Sequence, residues 1–92
     1  MPLTPRVLRV LRHAEAGLLT RSPRSAHWVA PSKTGKPHGQ ANYEARILLA
    51  VGLIVEGPID ARTLRIPGVP TEIGRDYLKR YADVELTERT SA

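Results

Sequence analysis

The chain has 92 residues, a formal charge of +5, no cysteine and no phenylalanine. That length suits one domain with a small, aliphatic core, and the missing thiols exclude disulfides and Cys-ligated metals. No apolar run approaches the roughly 18 residues of a membrane span and no signal-peptide core is present, so a cytoplasmic protein with no membrane partner is expected.

Charge is unevenly placed along the chain. Residues 1–43 carry seven basic side chains against Glu15 alone, whereas residues 44–92 carry seven against eight acidic ones. A basic half beside a neutral one is an electrostatic footprint for a polyanion such as nucleic acid, although a solvated basic face gives the same count.

Thr4-Pro5 is a helix start, since threonine can accept from first-turn amides and proline fits the first helical position. Val7, Leu8, Leu11 and Ala14 recur at helical spacing and define a buried face, with Gly17 as the stop. Arg6, Arg9 and His13 run along another side. Next, 18–20 and 27–30 are strand-like runs on either side of Arg21-Ser22-Pro23-Arg24-Ser25, which predicts a hairpin over 18–30. Trp28 is expected to anchor it in the core. Residues 31–39, with two prolines, two glycines, Lys33 and Lys36, read as a loop before a helix start, a place where phosphates can be met. Gly35-Lys36 is no phosphate-binding P-loop: the earlier glycine is absent and Pro37 stands where a magnesium-binding hydroxyl is required.

The most hydrophobic stretch is 41–57. It predicts a helix over 41–51 ending at Gly52 as a left-handed C′ residue, with Leu53 packing back on Leu48 in a Schellman motif. Leu53-Ile54-Val55 then continues as a strand, 56–60 as a turn, and 61–66 as an alternating return strand carrying Arg62 and Arg65. Pro67-Gly68-Val69-Pro70 is expected to stop that strand. Thr71 caps a last helix whose inward side would hold Ile73, Tyr77, Leu78 and Tyr81. The domain is expected to span 1–82, and 83–92 to form a flexible tail.

The series Arg46-x-Leu48-Leu49-x-x-Gly52-Leu53-Ile54, a hairpin, then Thr71-x-x-Gly74-Arg75-x-x-Leu78 resembles the second half of small bacterial winged helix-turn-helix proteins, the MarR-like and PadR-like regulators. The resemblance covers 41–81 and implies an α+β, winged-helix-like fold. Such a fold has about three helices, a recognition helix over 41–51 and a C-terminal hairpin wing over 54–66. The chain departs from the pattern twice. Pro70 stands where that family has leucine, and a hairpin at 18–30 occupies the region of the second helix.

In such a fold the start of the recognition helix faces the major groove. Asparagine pairs with adenine and arginine with guanine, so Gln40, Asn42 and Arg46 are the candidate base readers. Helical projection puts Asn42 and Arg46 on a narrow polar side and Tyr43, Ile47, Ala50 and Val51 on the buried one. Arg6, Arg9, Arg21, Arg24, Lys33, Lys36, Arg62 and Arg65 are the candidate DNA-backbone contacts. His13, His27 and His38 lack metal-ligand spacing, and no catalytic or cofactor motif is visible, so an enzyme, a metal and a cofactor are not expected. Two readings stand. One is a small DNA-binding protein, a transcriptional or phage regulator whose partner is double-stranded DNA. The other is a protein-binding module on the same scaffold, such as a phage or plasmid protein that docks on a host protein without DNA. A homodimer would have only the last helix and the tail to form on.

Overall fold

The computed structural model describes residues 4–31 and 39–80; Lys33, Lys36, Tyr81 and the expected tail lie outside them. The elements run α1 (Pro5–Glu15), β1 (Thr20–Arg21), β2 (Trp28–Ala30), β3 (Gly39–Gln40), α2 (Asn42–Ala50), β4 (Ile54–Glu56), β5 (Ile66–Pro70) and α3 (Glu72–Arg80). This is an α+β protein with three helices and one antiparallel five-stranded sheet in the order β3-β2-β1-β5-β4. The expected hairpin over 18–30 is present, with Thr20 opposite Val29 and Arg21 opposite Trp28.

Local chemistry explains the helix bounds. Thr4 Oγ1 accepts from the Val7 amide at 3.3 Å and Pro5 opens α1, which satisfies one of the orphan donors of the first turn. Both α1 and α2 end in the same way. Gly17 and Gly52 each adopt φ 78°, and the amides of Leu18 and Leu53 donate to His13 O and Leu48 O at 2.8 and 2.9 Å. These are the long bonds of two Schellman motifs, which only a residue tolerant of positive φ closes without strain. Each helix thereby turns directly into a strand, α1 into β1 and α2 into β4, and those two strands flank β5.

The return strand differs from expectation. It is 66–70, not 61–66, so the wing over 54–66 is corrected to strands 54–56 and 66–70 around a loop of 57–65. Asp60 closes that loop: its side chain accepts from the Arg62 amide at 2.7 Å, its carbonyl accepts from Leu64 at 2.7 Å, and its amide donates to Arg65 O at 2.8 Å. The Ile66-Pro-Gly-Val-Pro70 segment is a strand because its prolines fall where a donor is not needed. The Gly68 amide donates to Leu19 O at 2.9 Å, so even-numbered residues of β5 face β1. Pro70 shares that direction beyond the end of β1. Pro67 faces β4 at its last rung, where it still accepts from the Gly57 amide at 2.9 Å.

The core lies between the helices and one face of this sheet. Its largest fully buried side chains are Leu11, Leu19, Leu48 and Ile54, one from α1, one before β1, one from α2 and one from β4, and Trp28 is buried with them. Truncating any of these aliphatic side chains to alanine would cost about 2–5 kcal/mol.

Helix α3 is seated through Gly74 and Leu78, not through Ile73, which is 66% exposed. Thr71 Oγ1 accepts from the Gly74 amide at 3.1 Å and donates to Gly52 O at 2.7 Å. A side chain at position 74 would place Cβ 2.1 Å from Leu53 O. The absence of one lets α3 lie against the exit of α2, and that contact turns Ile73 outward.

Candidate nucleic-acid interface

The rotation of α2 decides which of its residues face solvent. Ala41, Glu44, Ala45 and Leu48 point inward, two of them alanines that admit α1 closely. The opposite arc is therefore outward, and Tyr43 is 74% and Val51 54% exposed. This reverses the expected assignment of Tyr43, Ala50 and Val51 to the buried side; Ile47 sits half-buried at the boundary. Sequence periodicity misses it because both sides of the helix are apolar, and the small-residue line Ala41–Ala45 is the only cue to the inward side.

Arg46 is exposed as expected and has no ion pair with any described residue. It forms one wall of a cleft of about 650 Å³ between α2 and the β1–β2 turn, together with Asn42, Leu49, Arg24, His27 and Trp28. Asn42 is half-buried, and its Oδ1 is buried without a hydrogen-bond partner, so that oxygen is not presented to a groove.

The turn opposite is built by serine. The Arg24 amide donates to Ser22 Oγ at 3.2 Å, the His27 amide to Ser25 Oγ at 3.1 Å, and the Ser25 amide to Ser22 O at 3.1 Å. Arg24 projects from this turn, exposed and with no ion pair among the described residues. Arg21 is different. Its Nε donates to Glu56 Oε1 at 2.9 Å and Nη2 donates to the same oxygen. Nη1 reaches Ser22 O and Ser25 O at 3.1 and 3.2 Å, and the guanidinium lies 5.8 Å from the centre of the Trp28 ring. With its fork occupied, Arg21 is less available to a phosphate than Arg24.

A second cleft, of about 360 Å³, lies on the other side of the α2 N-terminus and is lined by Arg6, Arg9, His13, Gly39, Gln40 and Glu44. Gln40 is exposed on β3 and lines this cleft, whereas Asn42 lines the other, so the two do not share one cleft. Glu44 is buried, and Arg6 Nε stands 3.6 Å from its Oε1. Both carboxylates beside the start of α2, Glu44 and Glu56, are thus matched by arginines. Arg62 and Arg65 lie apart from these clefts in the 57–65 loop, not on a strand. Arg62 is exposed, whereas Arg65 Nε donates to Thr20 Oγ1 at 2.8 Å and is half-buried.

The outward residues around the start of α2 are therefore Gln40, Tyr43 and Arg46, with Arg24 facing across one cleft and Arg6 and Arg9 across the other. Sequence reasoning missed Tyr43 and His27 here. Among the described residues no group of His, Asp or Glu is placed to hold a metal ion, and no helix is long and apolar enough to cross a membrane. Comparison with protein-family models, curated proteins and solved structures finds no match.

Proposed function

We propose that this chain is a small DNA-binding protein, a transcriptional or phage regulator on a winged-helix-like scaffold, that meets double-stranded DNA with the start of α2 and the β1–β2 turn. The order α2, hairpin β4–β5, α3 supports the scaffold. The observation that carries the function is electrostatic. Arg24 and Arg46 stand on facing walls with no ion pair among the described residues, Arg9 flanks the other side, and the nearby Glu44 and Glu56 are matched by Arg6 and Arg21. Such a surface attracts phosphates, because its carboxylates are offset by their own arginines. Arg46 is the base-reading candidate, Gln40 and Tyr43 are its outward neighbours, and the β1–β2 turn takes the place of a second helix as the element beside the DNA backbone. No catalytic step belongs to this reading.

A titration of labelled random duplex across a salt series tests it. With Arg9, Arg24 and Arg46 in contact, log K should fall against log salt with a slope of about −3. Arg46→Ala should lessen that slope by about 1 and leave thermal stability unchanged, because the side chain is exposed and unpaired. No binding at low salt would overturn the proposal.

One observation favours a second reading, a protein-binding module without DNA contact. Tyr43 and Val51 are exposed on the outward arc of α2, with Ile47 half-buried between them, which suits a protein partner better than a phosphate backbone. Under that reading duplex binding is absent and Arg46→Ala changes nothing in the salt series.

A further inference from the structure

We infer that the Arg21–Glu56 pair is a positioning clasp, which holds the β1–β2 turn against the strand that α2 runs into and so sets where Arg24 stands relative to Arg46. Its consequence for DNA rests on the reading above; the clasp itself rests on geometry. A guanidinium presents five donors in a rigid fork. Here the fork meets one carboxylate oxygen on one side and two carbonyls, Ser22 O and Ser25 O, on the other. Those carbonyls belong to the two ends of the turn, which also closes on itself through the Ser25 amide. The buried Trp28 ring lies beside the guanidinium and restricts its plane. Glu56 is the last residue of β4 and lies 35 positions further along the chain.

The clasp therefore ties one wall of the cleft to the other by way of β4. A lysine at position 21 would keep the charge and lose the fork, because one ammonium cannot span a carboxylate and two carbonyls in a fixed plane. Glu56 lines the same cleft, and its pairing with Arg21 offsets the charge it would otherwise present to an incoming phosphate. Arg21 is thus a positioning residue, while Arg24 and Arg46 are the contacts it serves.

Two variants, Glu56→Gln and Arg21→Lys, and two readouts test this. The first readout needs no DNA: limited trypsin digestion, with the cut after Arg24 followed by mass relative to the cut after Arg62 in the exposed 57–65 loop. Both variants should speed the Arg24 cut about fivefold, as expected when a partly exposed charged pair is lost and the turn opens locally. The second is the duplex titration. Both variants should bind several-fold more weakly with an unchanged salt slope, because Arg21 makes no phosphate contact. Charge alone predicts the reverse for Glu56→Gln, since removing an anion from a basic face should tighten binding. Unchanged cleavage in both variants overturns the clasp. Tighter binding by Glu56→Gln, or a slope lessened by about 1 in Arg21→Lys, overturns its role at the interface. Absence of duplex binding by the wild-type protein overturns the DNA reading and that role together, and the digestion alone then decides the clasp.

Discussion

Leu64 holds a conformation that its side chain does not reward. Its φ of 57° is the only positive value at a non-glycine among the described residues, and the side chain is 65% exposed. For an L-residue that region costs about 1–2 kcal/mol, whereas glycine there loses about 0.5–1 kcal/mol of extra chain entropy. The first is at least as large as the second, so Leu64→Gly is expected to leave stability unchanged or raise it by up to about 1.5 kcal/mol. Urea unfolding measures this, and a clear loss would mean that the leucine side chain holds the 57–65 loop in place. At this scale the sequence was partly legible. Exposure of Gln40, Arg24 and Arg46 followed from their polarity. The orientation of Asn42 and Tyr43 did not, because α2 is apolar on both sides and only its contact with α1 selects the inward one. The engagement of Arg21 was hidden for a different reason: its partner is distant in sequence and nothing in the chain marks the pair.

Among the elements, α3 offers the sharpest test. Glycine inside an exposed helix normally costs about 1 kcal/mol relative to alanine, so Gly74→Ala would stabilise an isolated α3. In the folded chain the new methyl would meet backbone at Leu53, which cannot rotate aside as a flexible side chain does. The displacement of a packed helix costs about 1–3 kcal/mol. The clash should therefore win, with a net loss of up to about 2 kcal/mol in urea or thermal unfolding. A gain in stability would show that α3 stands further from α2 than described. The caps were readable in advance: Thr4-Pro5, Gly17, Gly52-Leu53 and Thr71 all act as their residue types require. Strand β5 was not, since Pro-Gly-x-Pro signals a stop unless the pairing partners are known to end at those same positions. Gly74 belongs with the readable set in retrospect. The Thr71-x-x-Gly74 spacing that supported the family resemblance has a packing reason here, independent of what the protein binds.

For the whole molecule, three helices, an early hairpin and a second hairpin between the last two helices were legible from periodicity and turn chemistry. The joining of both hairpins into one sheet was not, because β1 and β5 meet across 45 residues of sequence and neither carries a pairing signal. The placement of charge was legible as an excess in residues 1–43; its division between two clefts on either side of α2 was not. The corner where α2, β4 and α3 meet has a further consequence, for hydrogen exchange. The Leu53 amide is held by Leu48 O, the Thr71 amide by Leu53 O and the Gly74 amide by Thr71 Oγ1, while the Thr71 hydroxyl returns to Gly52 O. The Thr71 amide and hydroxyl bonds cross between α3 and the end of α2, whereas the Leu53 and Gly74 amides are held within their own helix ends, so lifting α3 breaks the first two directly and uncovers the others. The three amides should therefore exchange as one cooperative unit, with similar protection although they lie in two separate stretches of chain. Gly74→Ala should lower the protection of all three together. Leu53 exchanging slowly while Thr71 and Gly74 exchange freely would instead mean that α3 detaches by itself.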